Sequence, residues 1–186
     1  MSNSALEITP DEQRALERFY FHEARLLDGR QYQQWLGLLD EGLMYIIPSR
    51  VNVLVNSRER GSEAMLAVER ELEGEDSMGT PLREETLFHL ALRVERAYKI
   101  NSWSENPPPR TRRIVGNIEV MGRDDDVLTV WNNFHMYFAR PGSANHIYSG
   151  QRRDQLVAAA GANRVRRPEV ILDYADIDKP TMGLLF

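Results

Sequence analysis

Cysteine is absent from the 186 residues of this chain. That excludes disulfides, a thiol nucleophile, zinc–thiolate sites and cysteine-ligated iron–sulfur clusters within it, and it fits a cytoplasmic protein. Long apolar runs are missing as well: none approaches the ~20 residues a membrane-spanning helix needs. The opening MSNSALEITPDEQ has neither the basic nor the apolar region of a signal peptide. Positive charge is in deficit, 23 Lys and Arg against 28 Asp and Glu, which argues against general affinity for nucleic acid. RVRR at 164–167 is locally basic but reads as a solvated turn. No Gly-rich phosphate loop, serine elbow or zinc signature is present. Histidine is scarce. None of His22, His89, His135 and His146 has a second histidine at helical spacing for an iron site of two histidines and a carboxylate; His135 and His146 could approach across a hairpin, as many residues of any sheet do. Ordinary hydrogen bonding is the plainer reading for all four.

What the chain does have is an ordinary globular composition, 42% hydrophobic and 27% charged, and a length that suits one domain over 1–186. Thr9, Pro10 and Glu12 form an N-cap, first-turn proline and capping box. Leu16, Phe19, Tyr20, Ala24 and Leu27 then recur at helical spacing until Gly29. A second short helix places Tyr32, Trp35, Leu36 and Leu39 on one face and ends near Gly42. LMYIIP (43–48) and VNVLV (51–55) read as short strands, and 57–85 as mostly loop. A third helix is expected from Pro81, with Glu84 and Glu85 in its first turn and Leu87, Leu90, Ala91, Val94, Ala97 and Tyr98 as its stripe. After Pro107–Pro109 the period changes to two. Ile114, Gly116, Ile118 and Val120 alternate with polar residues, RDDD (123–126) turns, and 127–140, 146–157 and 169–174 follow as strands, the middle one bent at Gly150. Helices first and long antiparallel strands after them predict an α+β domain with helices on one sheet face.

A curved sheet capped by helices can enclose a pocket, where Tyr45, His135 and Asp154 would serve as acid and base. Each has a plainer reading. Tyr45 lies in an apolar strand, and Asp154 stands two residues beyond Arg152 on the same strand face and would neutralise it.

One stretch is more specific. SWSENPPPRTRRIVGNIEV (102–120) carries Trp103, Glu105, Pro107, Pro108, Arg110, Arg112 and Asn117 in a pattern that resembles the β (small) subunit of aromatic-ring-hydroxylating dioxygenases. The blocks 17–50, ALRVERAY (91–98), YSGQRRDQL (148–156) and the apolar MGLLF resemble further segments of that family in the same order. The similarity is weakest over 56–80. The N-terminal blocks are most similar to the branch acting on biphenyl-type or polycyclic arenes.

The resemblance implies a cystatin-like cone, the fold of nuclear transport factor 2, scytalone dehydratase and ketosteroid isomerase. It implies β–β trimer contacts beneath a trimer of α subunits, a hetero-hexamer of three α and three β. The Rieske [2Fe-2S] cluster and mononuclear Fe(II) belong to the α subunit, and NADH supplies electrons through a reductase and ferredoxin. A Rieske centre needs two cysteines and two histidines, so this chain cannot hold one, and no catalytic, cofactor or metal residue is expected in it. The expected role is structural, within a complex that converts arenes to cis-dihydrodiols. Interface candidates are Trp103, Arg110, Arg112, Arg113, Asn117, Arg152 and Arg153. Prolines fix φ and favour extended geometry before them, so the arginines after Pro109 would emerge in a defined direction. Their forked guanidiniums suit carboxylates across an interface or carboxylates of this chain, such as Asp154 or Asp173. The alternative function is a stand-alone cone-fold dehydratase or isomerase. The interior strand positions Ile118, Val130, Phe134, Met136 and Phe138, which look like packing, favour the structural role.

Overall fold

Thr9 starts the first helix as its sequence suggests. The Thr9 hydroxyl accepts from the Glu12 N–H at 3.2 Å, and the Glu12 carboxylate accepts from the Thr9 N–H at 2.9 Å. Helix α1 runs Pro10–Asp28 and buries Leu16, Tyr20, Glu23, Leu26 and Leu27. A short helix α2, Tyr32–Leu36, buries Trp35 and is capped at Gly37, earlier than Gly42. Leu39 already bridges to Val165, so the backbone leaves the helix to join a strand.

This computed structural model describes residues 8–54, 61–73, 80–99, 106–159, 161–175 and 185–186. The strands are β1 (Met44–Ile47), β2 (Ser49–Arg50), β3 (Leu72–Glu73), β4 (Arg83–Thr86), β5 (Arg110–Asp124), β6 (Val127–Ala139), β7 (His146–Ala159) and β8 (Ala162–Leu172), with α3 at Leu87–Ala97. Six of them form one sheet in the order β4-β1-β8-β7-β6-β5, and β2 pairs with β3 apart from it. The sheet is mixed: β1 runs parallel to β8 at Ile46↔Glu169, and the other pairings are antiparallel. No helix among the described residues is long and apolar enough to cross a membrane.

Three segments differ from the sequence expectation. Residues 51–54 are irregular rather than a strand. Glu84 and Glu85 extend β4 along β1, so α3 begins later, at Leu87. Thr86 caps it, with its N–H donating to His89 Nδ1 at 3.1 Å. Extension suits Glu85, whose carboxylate meets Arg83 at 3.1 Å and Arg93 at 2.5 Å. Finally, 164–167 is no turn but part of β8, with Val165 fully buried in the core between its arginines.

Alternation divides the sheet into two faces. Val130, Phe134 and Met136 of β6, Tyr148 and Leu156 of β7, and Val165, Val170 and Leu172 of β8 point inward. There they meet Leu16, Tyr20 and Leu27 of α1, Trp35 of α2, and Leu90 and Val94 of α3. On β5 the alternation breaks. Asn117 adopts φ 51°, the left-handed region that asparagine tolerates better than most residues. The register with β6 shifts between Gly116 and Glu119. This bulge reverses the inward face: Ile118 is buried, whereas Ile114, four residues earlier, is 70% exposed. The expected stripe of Ile114, Gly116, Ile118 and Val120 is therefore split between the two sides. Gln13 of α1 donates to the freed Ile118 carbonyl at 2.8 Å, fastening the helix to the bulge.

Candidate functional site

The inner face carries a buried group of charges between α1 and β7. Glu23 sits on the buried stripe of α1, three residues after Tyr20, so both side chains point at the sheet. Arg152 and Asp154 alternate inward on β7. Arg152 Nη1 donates to Glu23 Oε2 at 2.8 Å and its Nη2 lies 2.9 Å from Asp154 Oδ2. The Tyr20 hydroxyl donates to Asp154 Oδ2 at 2.9 Å, and Trp35 Nε1 donates to Glu23 Oε1 at 3.2 Å. Asn132, opposite Arg152 on β6, is buried with its amide unpaired among the described residues.

One guanidinium therefore serves two buried carboxylates. Burial, reinforced by the Glu23 charge, pushes Asp154 up to about 6 against the pull of Arg152 and Tyr20. Burial likewise holds the Tyr20 hydroxyl far above its ordinary range. The attraction of Asp154 and Glu23 raises Arg152 despite its own burial. These are acid–base groups in type, yet Tyr20 is 1%, Glu23 3%, Arg152 6% and Asp154 0% exposed. No substrate reaches them. What the cluster does is tie α1 and α2 to β7.

Because Asp154 binds its proton more tightly folded than unfolded, its contribution to stability is complete below its unfolded value near 4. It is lost as pH rises through about 6. Chemical denaturation of the wild type and Asp154→Asn from pH 4 to 7 is expected to show the wild type losing about 2–3 kcal/mol relative to the variant across that window. Parallel curves would mean that Asp154 titrates like an exposed carboxyl.

The other residues singled out by sequence scatter. Tyr45 is core, its hydroxyl accepting from the Phe186 N–H at 3.2 Å. His135 is exposed on the opposite sheet face, so Tyr45, His135 and Asp154 do not converge. His22 is exposed and His89 caps α3. Among the described residues no group of three His, Asp or Glu side chains is placed to hold a metal ion.

Of the interface candidates, Arg152 is inside the fold and makes no surface. Arg113 is also turned inward, its side chain 7% exposed, paired with Asp28 at 2.5 Å and donating to the Leu185 carbonyl. The carboxylate that meets it is Asp28, neither Asp154 nor Asp173. Arg110 and Arg112 point outward and make no side-chain hydrogen bond or ion pair among the described residues. Asn117 is exposed at the bulge. Arg153 faces outward over the Trp131 ring, 4.6 Å from its centroid, and pairs with Glu69 at 3.0 Å. Trp103 lies outside the described residues. Ahead of Arg110 the chain bends at Asn106–Pro107, where the peptide is cis, instead of running straight.

The ring-hydroxylating β-subunit family model matches residues 22–179. This chain belongs to that family. Among solved structures it is similar to naphthalene 1,2-dioxygenase with indole bound (19% identity, TM-score 0.77, covering 98% of this chain and 89% of that one). It is also similar to the β subunit of benzoate 1,2-dioxygenase from Burkholderia mallei (21% identity, TM-score 0.60, 90% and 92% covered). A scytalone dehydratase candidate from Novosphingobium aromaticivorans shares the fold (15% identity, TM-score 0.57, 88% and 85% covered). The cone architecture is thus shared with proteins of the nuclear transport factor 2 type.

In this β-subunit family member part of the outer sheet face is exposed among the described residues. Across β5, β6 and β7 the register aligns Arg112, Tyr137 and Ile147, with Ile114, His135 and Ser149 in the next row. Ile114 is 70%, Ile147 57% and Tyr137 43% exposed. Beside them an open depression of about 470 Å³ is lined by residues including Arg50, Glu69, Trp131, His135, Gln151 and Arg153. The sequence pointed to the arginines here. It misplaced Ile114, which reads as core until the bulge is known.

Proposed function

We propose that this chain is the non-catalytic, assembly-supporting subunit of an aromatic-ring-hydroxylating dioxygenase, in a hetero-hexamer of three α and three β subunits. The α subunit would hold the Rieske cluster and mononuclear iron, and the complex would convert an arene to a cis-dihydrodiol with electrons from NADH through a reductase and ferredoxin. The family match over 22–179 carries this reading. Two features support it. The acid–base cluster of Tyr20, Glu23, Arg152 and Asp154 is closed to substrate. The outer face presents Ile114, Tyr137 and Ile147 beside Arg110 and Arg112, which are exposed, a composition suited to a protein interface with an apolar centre and cationic rim. Co-expression with a Rieske-type large subunit should recover both chains on a tag carried by this one, and arene oxidation should require both. Iron at one equivalent in the isolated chain, or dehydratase activity from it, would overturn the assignment.

The interface has its own test. Arg110→Glu and Arg112→Glu are exposed changes, expected to alter folding stability by less than about 0.5 kcal/mol. Their effect on assembly should be larger, since truncating a desolvated interfacial charge pair costs roughly 2–5 kcal/mol. Recovery of the large subunit should fall while the melting temperature holds. The reverse pattern would place these arginines in the fold's own support.

A further inference from the structure

Leu185 and Phe186 belong to no helix or strand, yet they are 7% and 3% exposed and lie within the core cluster. Side chains hold their backbone, as they would hold a ligand. The Leu185 carbonyl accepts from Arg113, and the Phe186 N–H donates to the Tyr45 hydroxyl at 3.2 Å. The Phe186 ring stands between Phe134 and Tyr148, with centroids at 5.8 and 5.7 Å, and Phe138 backs Tyr148 at 6.2 Å. These are the separations of edge and tilted ring pairs.

We propose that the cone contains a binding chamber for one amide-bearing aromatic ring, and that Leu185–Phe186 is its built-in occupant. The chamber has the composition of a small-molecule site: apolar and aromatic walls with a few fixed polar groups. Those polar groups are set in advance. Arg113 is fixed by Asp28 at 2.5 Å and by Thr111 at 3.1 Å, with Thr111 in turn donating to Asp28 at 2.9 Å. Its charge is already matched by Asp28, so the remaining N–H suits a neutral carbonyl rather than a carboxylate. Tyr45 offers its oxygen to an amide N–H. The class of ligand is thus an uncharged aromatic amide with the ring two carbons from nitrogen. The inference is independent of which complex the chain serves, because every group it uses lies on this chain's inner face.

The test uses N-(2-phenylethyl)acetamide, which reproduces the Leu185 carbonyl, the Phe186 N–H and the Phe186 ring. In a chain shortened to end at residue 184, the probe should raise the melting temperature with concentration, at a Kd in the range of about 0.1–5 mM for so small a molecule. The full chain, its chamber filled, should show no rise. Adding Tyr45→Phe to the shortened chain should weaken binding about 2–10-fold through one lost hydrogen bond, while leaving any response to benzene unchanged. Equal binding by full and shortened chains, or none by a folded shortened chain, overturns the proposal. Should the shortened chain not fold, Phe186→Ala in the full chain replaces it: an apolar cavity of that kind takes up benzene. A folded Phe186→Ala that ignores benzene, or failure of both variants to fold even with their probes, shows the pair to be core rather than occupant and overturns the proposal equally.

Discussion

Arg152→Met is expected to lose about 3–5 kcal/mol of stability at pH 7, the cost of leaving buried charge without its partner. The reason is arithmetic of charge rather than of contacts. Among the described residues Arg152, 6% exposed, is the cation bonded to both Glu23 and Asp154, at 2.8 and 2.9 Å. Without it two carboxylates share a dry interior, and Trp35 and Tyr20 supply only neutral donors. Urea denaturation should show the loss as a shifted midpoint with little change in slope. Lowering the pH should recover part of it, because protonating the carboxylates removes the orphaned charge. Changing Glu23, Arg152 and Asp154 together to apolar residues of similar volume should cost less than Arg152→Met alone, since a buried ionic group replaced whole is often neutral or better. If Arg152→Met melts like the wild type at pH 7, the cluster does not tie α1 to the sheet.

That cluster marks the boundary of what the sequence made legible. The start of α1 was plain because its signals are local: Thr9, Pro10 and Glu12 satisfy one another within a single turn. Glu23 was hidden, although it stands on the same stripe as Tyr20 and Leu27. A carboxylate lowers the apparent hydrophobicity of a stripe, and the cation that makes it tolerable comes from 129 residues away. The pairing of Arg152 with Asp154 was visible, being two residues apart on one strand face. The pairing of Arg113 with Asp28 was not, since it depends on where α1 ends relative to β5.

A single backbone feature accounts for the misread stripe on β5. Strict alternation assumes an unbroken ladder, and the left-handed Asn117 inserts one residue into it. Everything before the bulge changes sides. Ile114 becomes surface, Arg113 becomes interior, and Arg110 and Arg112 face out. An asparagine within a run of β-formers was the available signal, and it reads as one more residue of the family-like pattern rather than as a bend. The same reversal creates the outer rows on which the proposed assembly depends and supplies the cation that holds Leu185, so one bulge serves both faces.

Gly150→Ala is the second large effect expected, and it separates two explanations of that glycine. The sequence suggested a bend in β7, but the strand runs unbroken through it, paired to Phe134 on one side and Leu172 on the other. What Gly150 permits is close approach. A Cβ there would stand 2.2 Å from the Ile171 carbonyl oxygen, 3.1 Å from its carbon and 3.2 Å from the Leu172 Cα. All three are backbone atoms, and β8 is held on its other side by β1. Neither strand has a side chain that can rotate away, so the ladder itself must part. Overpacking of this kind costs about 1–3 kcal/mol where side chains give, and with backbone on both sides about 3 kcal/mol or more is expected. For a chain of this length that lowers the melting temperature by roughly 6–12 °C. Gly116 is the matched control. It lies on β5 with no heavy atom within 4 Å of its would-be Cβ, and alanine there is expected to shift the melt by no more than about 1–2 °C. Thermal unfolding of the two variants side by side decides the matter. If Gly150→Ala melts with Gly116→Ala, β7 and β8 are not as close as described, and the inner face that carries Tyr148, Arg152 and Asp154 must be drawn differently.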